Sequence, residues 1–143
     1  MTIVLVVPGV PEPKGSYHMQ RRGAKSWIVA GSNANMKKRM DEWSFRVRTY
    51  AERSARANGL GAPYDGPIAA DVTFYMPRPK SAANRTHCAV RPDLDKLLRG
   101  VFDPLMGIVF TEDSRIVSLA GQKVYADDSG ERPAGAIIRV WSV

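Results

Sequence analysis

The most informative stretch of the chain covers residues 91–105 and reads RPDLDKLLRGVFDPL. Its apolar residues recur at the i, i+3, i+4, i+7, i+8, i+11 spacing that is typical of one face of an amphipathic helix. The members of this face are Leu94, Leu97, Leu98, Val101, Phe102 and Leu105. Pro92 fixes the backbone just before Asp93, and Pro104 is expected to end or kink the helix at Asp103. The stretch therefore predicts a core-packing helix from Asp93 to about Asp103.

The segments on either side of this helix predict the rest of the domain. Residues 33–57 form the other amphipathic segment, with Met36, Met40, Trp43, Val47, Tyr50, Ala51 and Ser54 within one arc of about 100°. Strands are expected at residues 2–7, 26–29, 68–76, 115–125 and 136–143, because these segments are β-branched, apolar or alternating. The sequence thus predicts a single domain over residues 1–143, of α/β composition and α+β type, in which two helices pack on a mixed sheet.

Two connections also carry predictions. Residues 77–92 contain three prolines and four basic residues, and we expect a long loop of the kind that is often functional. Asp127-Asp128-Ser129-Gly130 is typical of a hairpin-type connection between the last two strands.

The composition narrows the class of protein. Cys88 is the single cysteine of the 143 residues, which excludes an internal disulfide framework and a multi-cysteine zinc site. The apolar start of the chain is only five residues long, from Ile3 to Val7, which is too short for a signal peptide or a membrane span. We therefore expect a soluble protein of the cytoplasm.

The charge is distributed unevenly along the chain. Lys and Arg total 21 against 14 Asp and Glu, and the pI is near 9.9. Residues 1–60 hold 11 basic and 4 acidic side chains, whereas residues 61–143 hold 10 of each. A one-sided basic surplus favours a polyanionic partner such as nucleic acid, and a merely solvated basic surface is the alternative.

The acidic residues suggest where chemistry could occur. Asp93 and Asp95 can converge because the first residue of a helix is not yet helical, and Arg99 lies one turn further on. Glu112 and Asp113 precede a predicted strand, where a third carboxylate can be delivered. Carboxylates repel each other unless a hard cation such as Mg²⁺ joins them. The alternative is structural, with Asp93 as a helix cap and Asp95 in an ion pair with Arg99.

These residues closely resemble the RusA family of Holliday junction resolvases. The resemblance rests on residues 91–99, on Val101-Phe102-Asp103, and on Thr111-Glu112-Asp113-Ser114-Arg115-Ile116-Val117. That family has an Asp-(Leu/Ile)-Asp-Asn-Leu helix followed about twenty residues later by an Asp-Asp turn. The proline-rich loop at residues 8–15, which ends in Lys14-Gly15, looks like that of phage-encoded members, and so does the segment Met76-Pro77-Arg78-Pro79.

The resemblance implies specific roles for several residues. It implies that Asp93, Asp95 and Asp113 are catalytic metal ligands for Mg²⁺ or Mn²⁺, with Glu112 as an accessory. Family members usually have Lys at the position of Arg99 and Asn at the position of Lys96. Because guanidinium keeps its proton, Arg99 is expected to clamp a phosphate or the transition state.

The function implied by the resemblance is resolution of four-way DNA junctions by paired symmetric nicks in recombination and repair. The resemblance also implies a homodimer and a bacterial cell, or a phage-infected one, as the location. We expect DNA backbone contacts from five basic residues: Lys14, Arg21, Arg22, Lys80 and Arg85. Two alternatives stay open, a less selective nuclease for flaps or branched DNA and a non-catalytic basic DNA-binding protein.

Overall fold

The computed structural model describes residues 1–15, 17–30, 34–127 and 129–143, and for residues 17–22 and 26–30 it describes the backbone alone. Ten elements follow one another along these residues, eight of them helices or strands and two short 3₁₀ turns. In chain order the helices and strands are β1 (Thr2–Pro8), β2 (Tyr17–Arg22), β3 (Lys25–Ala30), α1 (Ala34–Ala57), β4 (Ile68–Met76), α2 (Leu94–Leu105), β5 (Ile116–Tyr125) and β6 (Gly135–Ser142).

Four of the strands form one mixed sheet in the order β1-β6-β4-β5. The pairs β1–β6 and β6–β4 are antiparallel, whereas β4 and β5 run parallel. Parallel neighbours need a crossover, and α2 lies in the segment that connects them. The α+β architecture with a mixed sheet and two helices is as the sequence predicted.

The core lies between one face of this sheet and the two helices. Along β1 the residues alternate strictly, with Ile3, Leu5 and Val7 buried while Val4 and Val6 are exposed. The helices contribute Trp43, Val47, Ala51 and Ala55 from α1, and Leu97, Val101, Phe102 and Leu105 from α2. The apolar face predicted for α2 is therefore confirmed, with Leu94 and Leu98 packed at its margin.

The predicted hairpin connection between the last two strands is wrong. β5 and β6 do not pair with each other, because β4 lies between them and pairs with both. The five residues Ile68, Ala70, Val72, Phe74 and Met76 put a continuous apolar row on the helix side of β4. A strand this apolar gains most from a central position, whereas β5 is largely exposed and occupies an edge.

Pro104 does not end α2 at Asp103, since the helix continues to Leu105 with the proline inside it. The missing amide costs one hydrogen bond, but Pro104 and Leu105 are both buried in the core. Just after the helix, the Met106 amide donates to the Phe102 carbonyl at 3.0 Å, so a backbone hydrogen bond closes the last turn.

The sequence pattern did not predict β2, which pairs with β3 in a separate two-stranded sheet. The residues of β2 carry no β-branched side chain and two arginines, so they lack the pattern that predicted the strand at 26–29. The tight turn between the strands contains Gly23, whose φ is 63°. Glycine adopts such a positive φ without steric cost.

Within the described residues, no helix is long and apolar enough to span a bilayer.

Truncating Leu97 to alanine tests where the core lies. Leu97 is fully buried under the sheet, so Leu97→Ala should lower the free energy of unfolding by about 2–5 kcal/mol. Phe45→Ala is the control, because Phe45 is 71% exposed on α1. Its loss should change the free energy of unfolding by no more than about 0.5 kcal/mol. Urea unfolding of both variants measures the difference, and equal losses would contradict this placement of the core.

Candidate active site

Asp93 occupies the residue before α2 in an extended conformation, with φ −68° and ψ 141°. That is the backbone of a helix cap, yet the Asp93 side chain accepts no capping hydrogen bond. Its carboxylate instead lies 3.1 Å from the Lys96 ammonium, and it is 55% exposed. The structure therefore does not use this carboxylate to cap the helix, which removes the main structural explanation for it.

Asp95 and Arg99 lie one turn apart on the exposed side of α2. No ion pair joins these two described side chains, although their i, i+4 spacing allows one. Both groups are consequently open to solvent and available to a ligand. The alternative in which Asp95 serves only to pair with Arg99 has no contact to support it.

The backbone just before Asp93 is held by Lys123, which sequence analysis did not single out. The Lys123 ammonium, on β5, donates to the carbonyl of Val90 and at 2.8 Å to the carbonyl of Pro92. On the other side the Lys14 amide donates to the Lys96 carbonyl at 3.0 Å. These contacts fix the first turn of α2 to the sheet and to the proline-rich loop. Lys123 lies some thirty positions away in sequence, so no local pattern could have revealed it.

Asp113 begins a short 3₁₀ turn, Asp113–Arg115, immediately before β5 and is exposed. A polar cluster holds this turn, since Arg115 lies 2.9 Å from Asp65 and 3.4 Å from Glu112. The Thr111 hydroxyl donates to Asp65 at 2.7 Å. This hydrogen bond, together with the charge of Arg115, lowers the pKa of Asp65 below its usual value. The Glu112 carboxylate, for its part, forms an ion pair with Arg115.

The three predicted ligands do not meet within one copy of the chain. Lys123 ties the start of α2 to the far end of β5, whereas Asp113 precedes the first residue of that strand. From Ile116 to Lys123 a strand advances about 23 Å, at roughly 3.3 Å per residue. Among the residues that the structure describes, no three carboxylate, imidazole or thiol groups are close enough to hold a metal ion. Carboxylates suit Mg²⁺ or Mn²⁺ by chemistry, but a single copy does not assemble the set.

The basic residues expected to contact DNA fall into different situations. Lys14 forms an ion pair with Asp103, and Arg85 donates to the Tyr125 hydroxyl at 3.1 Å. Lys80 is exposed in a 3₁₀ turn, Lys80–Ala82. The side chains of Arg21 and Arg22 lie outside the described part of the structure.

Arg78 organises the connection between β4 and α2 that carries Lys80 and Arg85. Its guanidinium stacks 4.2 Å from the centre of the Tyr125 ring and donates to the carbonyls of Ala82 and Arg85. The connection leaves the carboxyl end of β4 and returns to Asp93 at the same end of the sheet. Basic groups and the Asp93–Asp95 pair therefore share one end of the molecule.

Comparison with known proteins decides the family. The family model described as Endodeoxyribonuclease RusA matches residues 8–132, which contain α1, α2, both predicted acidic elements and the proline-rich loop. The chain belongs to the RusA endodeoxyribonuclease family. The resemblance found in the sequence is thereby confirmed, and the RusA match extends well beyond the acidic motifs that first indicated it.

A curated relative is also similar over part of the chain. The uncharacterized protein YqaN of Bacillus subtilis (strain 168) is 31% identical over an alignment of 74 positions, which covers 44% of this chain and 52% of that protein. The chain thus spans about half the length of the curated relative it matches. Divalent-metal dependence is general among RusA family nucleases, which agrees with the carboxylate chemistry of the acidic residues.

Replacing Lys123 by methionine tests its role as a tether. Two carbonyls before Asp93 lose a charged donor, so Lys123→Met should lower the free energy of unfolding by about 1–3 kcal/mol. Amide hydrogen exchange at Arg91 and Asp93 should become faster, because the loop is no longer held to β5. Lys80→Met, which removes an exposed ammonium in the same connection, is the matched control. Unchanged exchange in Lys123→Met would show that the loop is fixed by other contacts.

Proposed function

We propose that this chain is a metal-dependent endodeoxyribonuclease that resolves four-way DNA junctions by paired nicks in recombination and repair. The observation that carries the proposal is the match to the RusA family over residues 8–132, combined with an exposed Asp93–Asp95 pair in which Asp93 does not cap the helix. Within the family framework we assign metal binding and catalysis to Asp93, Asp95 and Asp113. We place the activity in the cytoplasm of a bacterial cell or of a phage-infected host cell.

A dimer would bring together the three carboxylates that do not meet within one copy of the chain. In a dimer with two-fold symmetry, Asp93 and Asp95 of one copy can meet Asp113 of the other, and the reciprocal contact completes a second site. β5 favours such an arrangement, because among the described strands it pairs with β4 alone and its Val117 and Leu119 are 64% and 47% exposed. These residues directly follow the turn that carries Asp113. Two equivalent sites in one assembly match the two strands that resolution must cut.

The chemistry follows from the groups that meet there. A divalent cation such as Mg²⁺ or Mn²⁺, when bound, polarises a phosphate and lowers the pKa of a coordinated water. The carboxylates of Asp93, Asp95 and Asp113 bind and orient that cation. Arg99, exposed beside Asp95, offsets the negative charge that develops on the phosphoryl oxygens, because its guanidinium stays protonated at any working pH.

The DNA backbone is expected to lie across the basic end of the molecule. Lys80 and Arg85 stand on the connection that leads to Asp93. The Lys14 amide bonds to the first turn of α2, whereas its ammonium lies at Asp103 and would have to leave that ion pair to contact DNA. Arg21 and Arg22 complete the proposed set from the β2–β3 hairpin. Contacts of this kind give affinity and orientation without reading sequence.

Removing one carboxylate at a time tests the catalytic assignment. Asp93→Asn, Asp95→Asn and Asp113→Asn should each abolish nicking of a labelled four-way junction in Mg²⁺ while binding stays intact or tightens, because a negative charge is lost near phosphate. A linear duplex of matched sequence is the control substrate. Equal cutting of junction and duplex by the unaltered chain would favour a less selective nuclease, and a shifted band without product would favour a DNA-binding protein.

Mixing two inactive variants tests whether the site is shared between copies. In a mixed dimer of Asp95→Asn with Asp113→Asn, a shared site leaves one site with both changes and the other intact. An equal mixture should therefore regain about a quarter of the intact sites, since half of the dimers are mixed. Each variant alone is the control. If every site lay within one chain, both sites of the mixed dimer would be damaged and the mixture would stay inactive.

Two substitutions at Arg99 separate charge from structure. Arg99→Lys keeps the positive charge and should retain substantial activity, whereas Arg99→Ala should lose about 10²–10³-fold in single-turnover junction cleavage. Thermal unfolding should move little in either variant, because Arg99 is exposed. Cleavage by Arg99→Ala within threefold of the unaltered chain would remove this residue from the site.

A further inference from the structure

A cleft of about 660 Å³ opens beside Asp93, between the proline-rich loop, the start of α1, the end of β4 and the first turn of α2. Its walls are apolar and come from Val10, Pro11, Pro13, Met36, Met40, Met76 and Pro92. Its charged rim is formed by Glu12, Arg91, Asp93 and Lys96. This volume falls within the roughly 300–1,000 Å³ typical of small-ligand pockets, and the mixture of apolar walls with a few charged groups is typical of them too.

We propose that this cleft takes up one unstacked nucleobase from the DNA strand whose phosphate lies at Asp93 and Asp95. The inference rests on the proposed function, since it concerns the same strand at the same site. It adds a binding subsite, with a stated chemical class of ligand, that the acidic residues alone do not provide.

The walls suit a flat, polarisable ring. Three of the seven apolar residues are methionines, from α1 and from the end of β4, and methionine sulfur makes favourable contacts with aromatic faces and edges. Methionine side chains also adapt to rings of different size, so the cleft can accept more than one base. The prolines, whose backbone φ is fixed, give the opposite wall a constant shape.

The two basic residues of the rim stand where a backbone phosphate of the bound strand would lie. Arg91 is exposed at the rim, and the Lys96 ammonium lies 3.1 Å from Asp93. Both cations therefore stand where the backbone of a strand would pass if its base pointed into the cleft. Because Asp93 belongs to the rim as well as to the proposed catalytic set, the cleft is continuous with the active site.

Several contacts hold the cleft open before any DNA binds. The Arg39 guanidinium lies 3.4 Å from the Glu12 carboxylate, and the Arg46 guanidinium donates to the Pro8 carbonyl at 3.0 Å. The loop also packs closely on α2 at Gly100, where an added Cβ would stand 2.6 Å from the Glu12 carbonyl oxygen. A preformed pocket spends little binding energy on its own ordering.

The subsite gives a physical reason for structure selectivity. Taking a base out of a continuous duplex costs stacking and pairing, and the cost is least where the base is already unpaired. Bases at a branch point are closest to that condition. A base-accepting cleft next to the scissile phosphate would therefore favour branched DNA over a linear duplex without reading its sequence.

Junctions that carry 2-aminopurine at each position around the branch point test the proposal directly. This base fluoresces more strongly when it is unstacked, and binding is followed without metal ions, so the readout is independent of cleavage. We expect a rise of at least threefold at one position next to the cut phosphate, and no rise in a linear duplex. Met40→Glu and Val10→Glu should each abolish the rise, because either substitution puts a carboxylate into an apolar wall.

Phe45→Glu is the matched control, since it adds the same charge to the same helix outside the cleft. It should keep the full fluorescence rise. Circular dichroism establishes that each variant is folded, and Val10, which is 49% exposed in a loop, provides a second variant should Met40→Glu unfold.

The remaining outcomes separate this inference from the proposed function. If the unaltered chain nicks junctions in Mg²⁺ but no position brightens, the base subsite is wrong and the nuclease stands. If Met40→Glu instead dissociates the dimer in the absence of DNA, the cleft holds a segment of the second copy and the inference is overturned. If the unaltered chain neither binds nor nicks junctions, the proposed function fails and the subsite with it.

Discussion

Because β4 and β5 run parallel, the chain between them has to return along the full length of the sheet, and α2 is the segment that makes this return. That single constraint determines where the acidic residues lie. It puts Asp93 and Asp95, at the start of α2, beside the carboxyl ends of both strands, and it delivers Asp113 to the opposite end. The buried face of α2 makes the arrangement rigid, since Leu97, Val101 and Leu105 are fully enclosed between helix and sheet.

The two ends of the sheet consequently carry different groups of side chains. At the carboxyl end the Asp93–Asp95 pair is accompanied by basic groups, by the apolar cleft and by Lys123, which holds the first turn of α2 in place. At the amino end the turn that carries Asp113 is fixed by contacts of Arg115 with Asp65 and Glu112. The backbone of each acidic element is thus held by other residues, while the carboxylates proposed to bind the metal remain exposed. A site shared between two copies, as proposed, requires this. Each copy must hold its own acidic element in place before the other copy binds.

The proline-rich loop links the two proposed activities of the carboxyl end. It pairs with α2 through the Lys14 amide, approaches Gly100 too closely for any side chain, and forms one wall of the cleft. A movement of this loop would therefore change the base subsite and the first turn of α2 together. Such coupling would link the proposed binding of an unstacked base to the position of the carboxylates proposed to bind the metal.

The amino-acid sequence by itself determined the local features of this protein. The helical spacing in residues 91–105 and the alternation in β4 predicted elements that the structure contains, and the acidic motifs identified the family later confirmed over residues 8–132. These features are readable because periodicity and motif spacing are local properties of a chain. Only the tertiary structure decided that β4 separates β5 from β6, that Lys123 tethers the loop before Asp93, and that Asp113 stands far from Asp93. Strand partners and long-range contacts depend on which apolar surfaces bury one another across the whole domain, and residue spacing along the chain does not encode that choice locally.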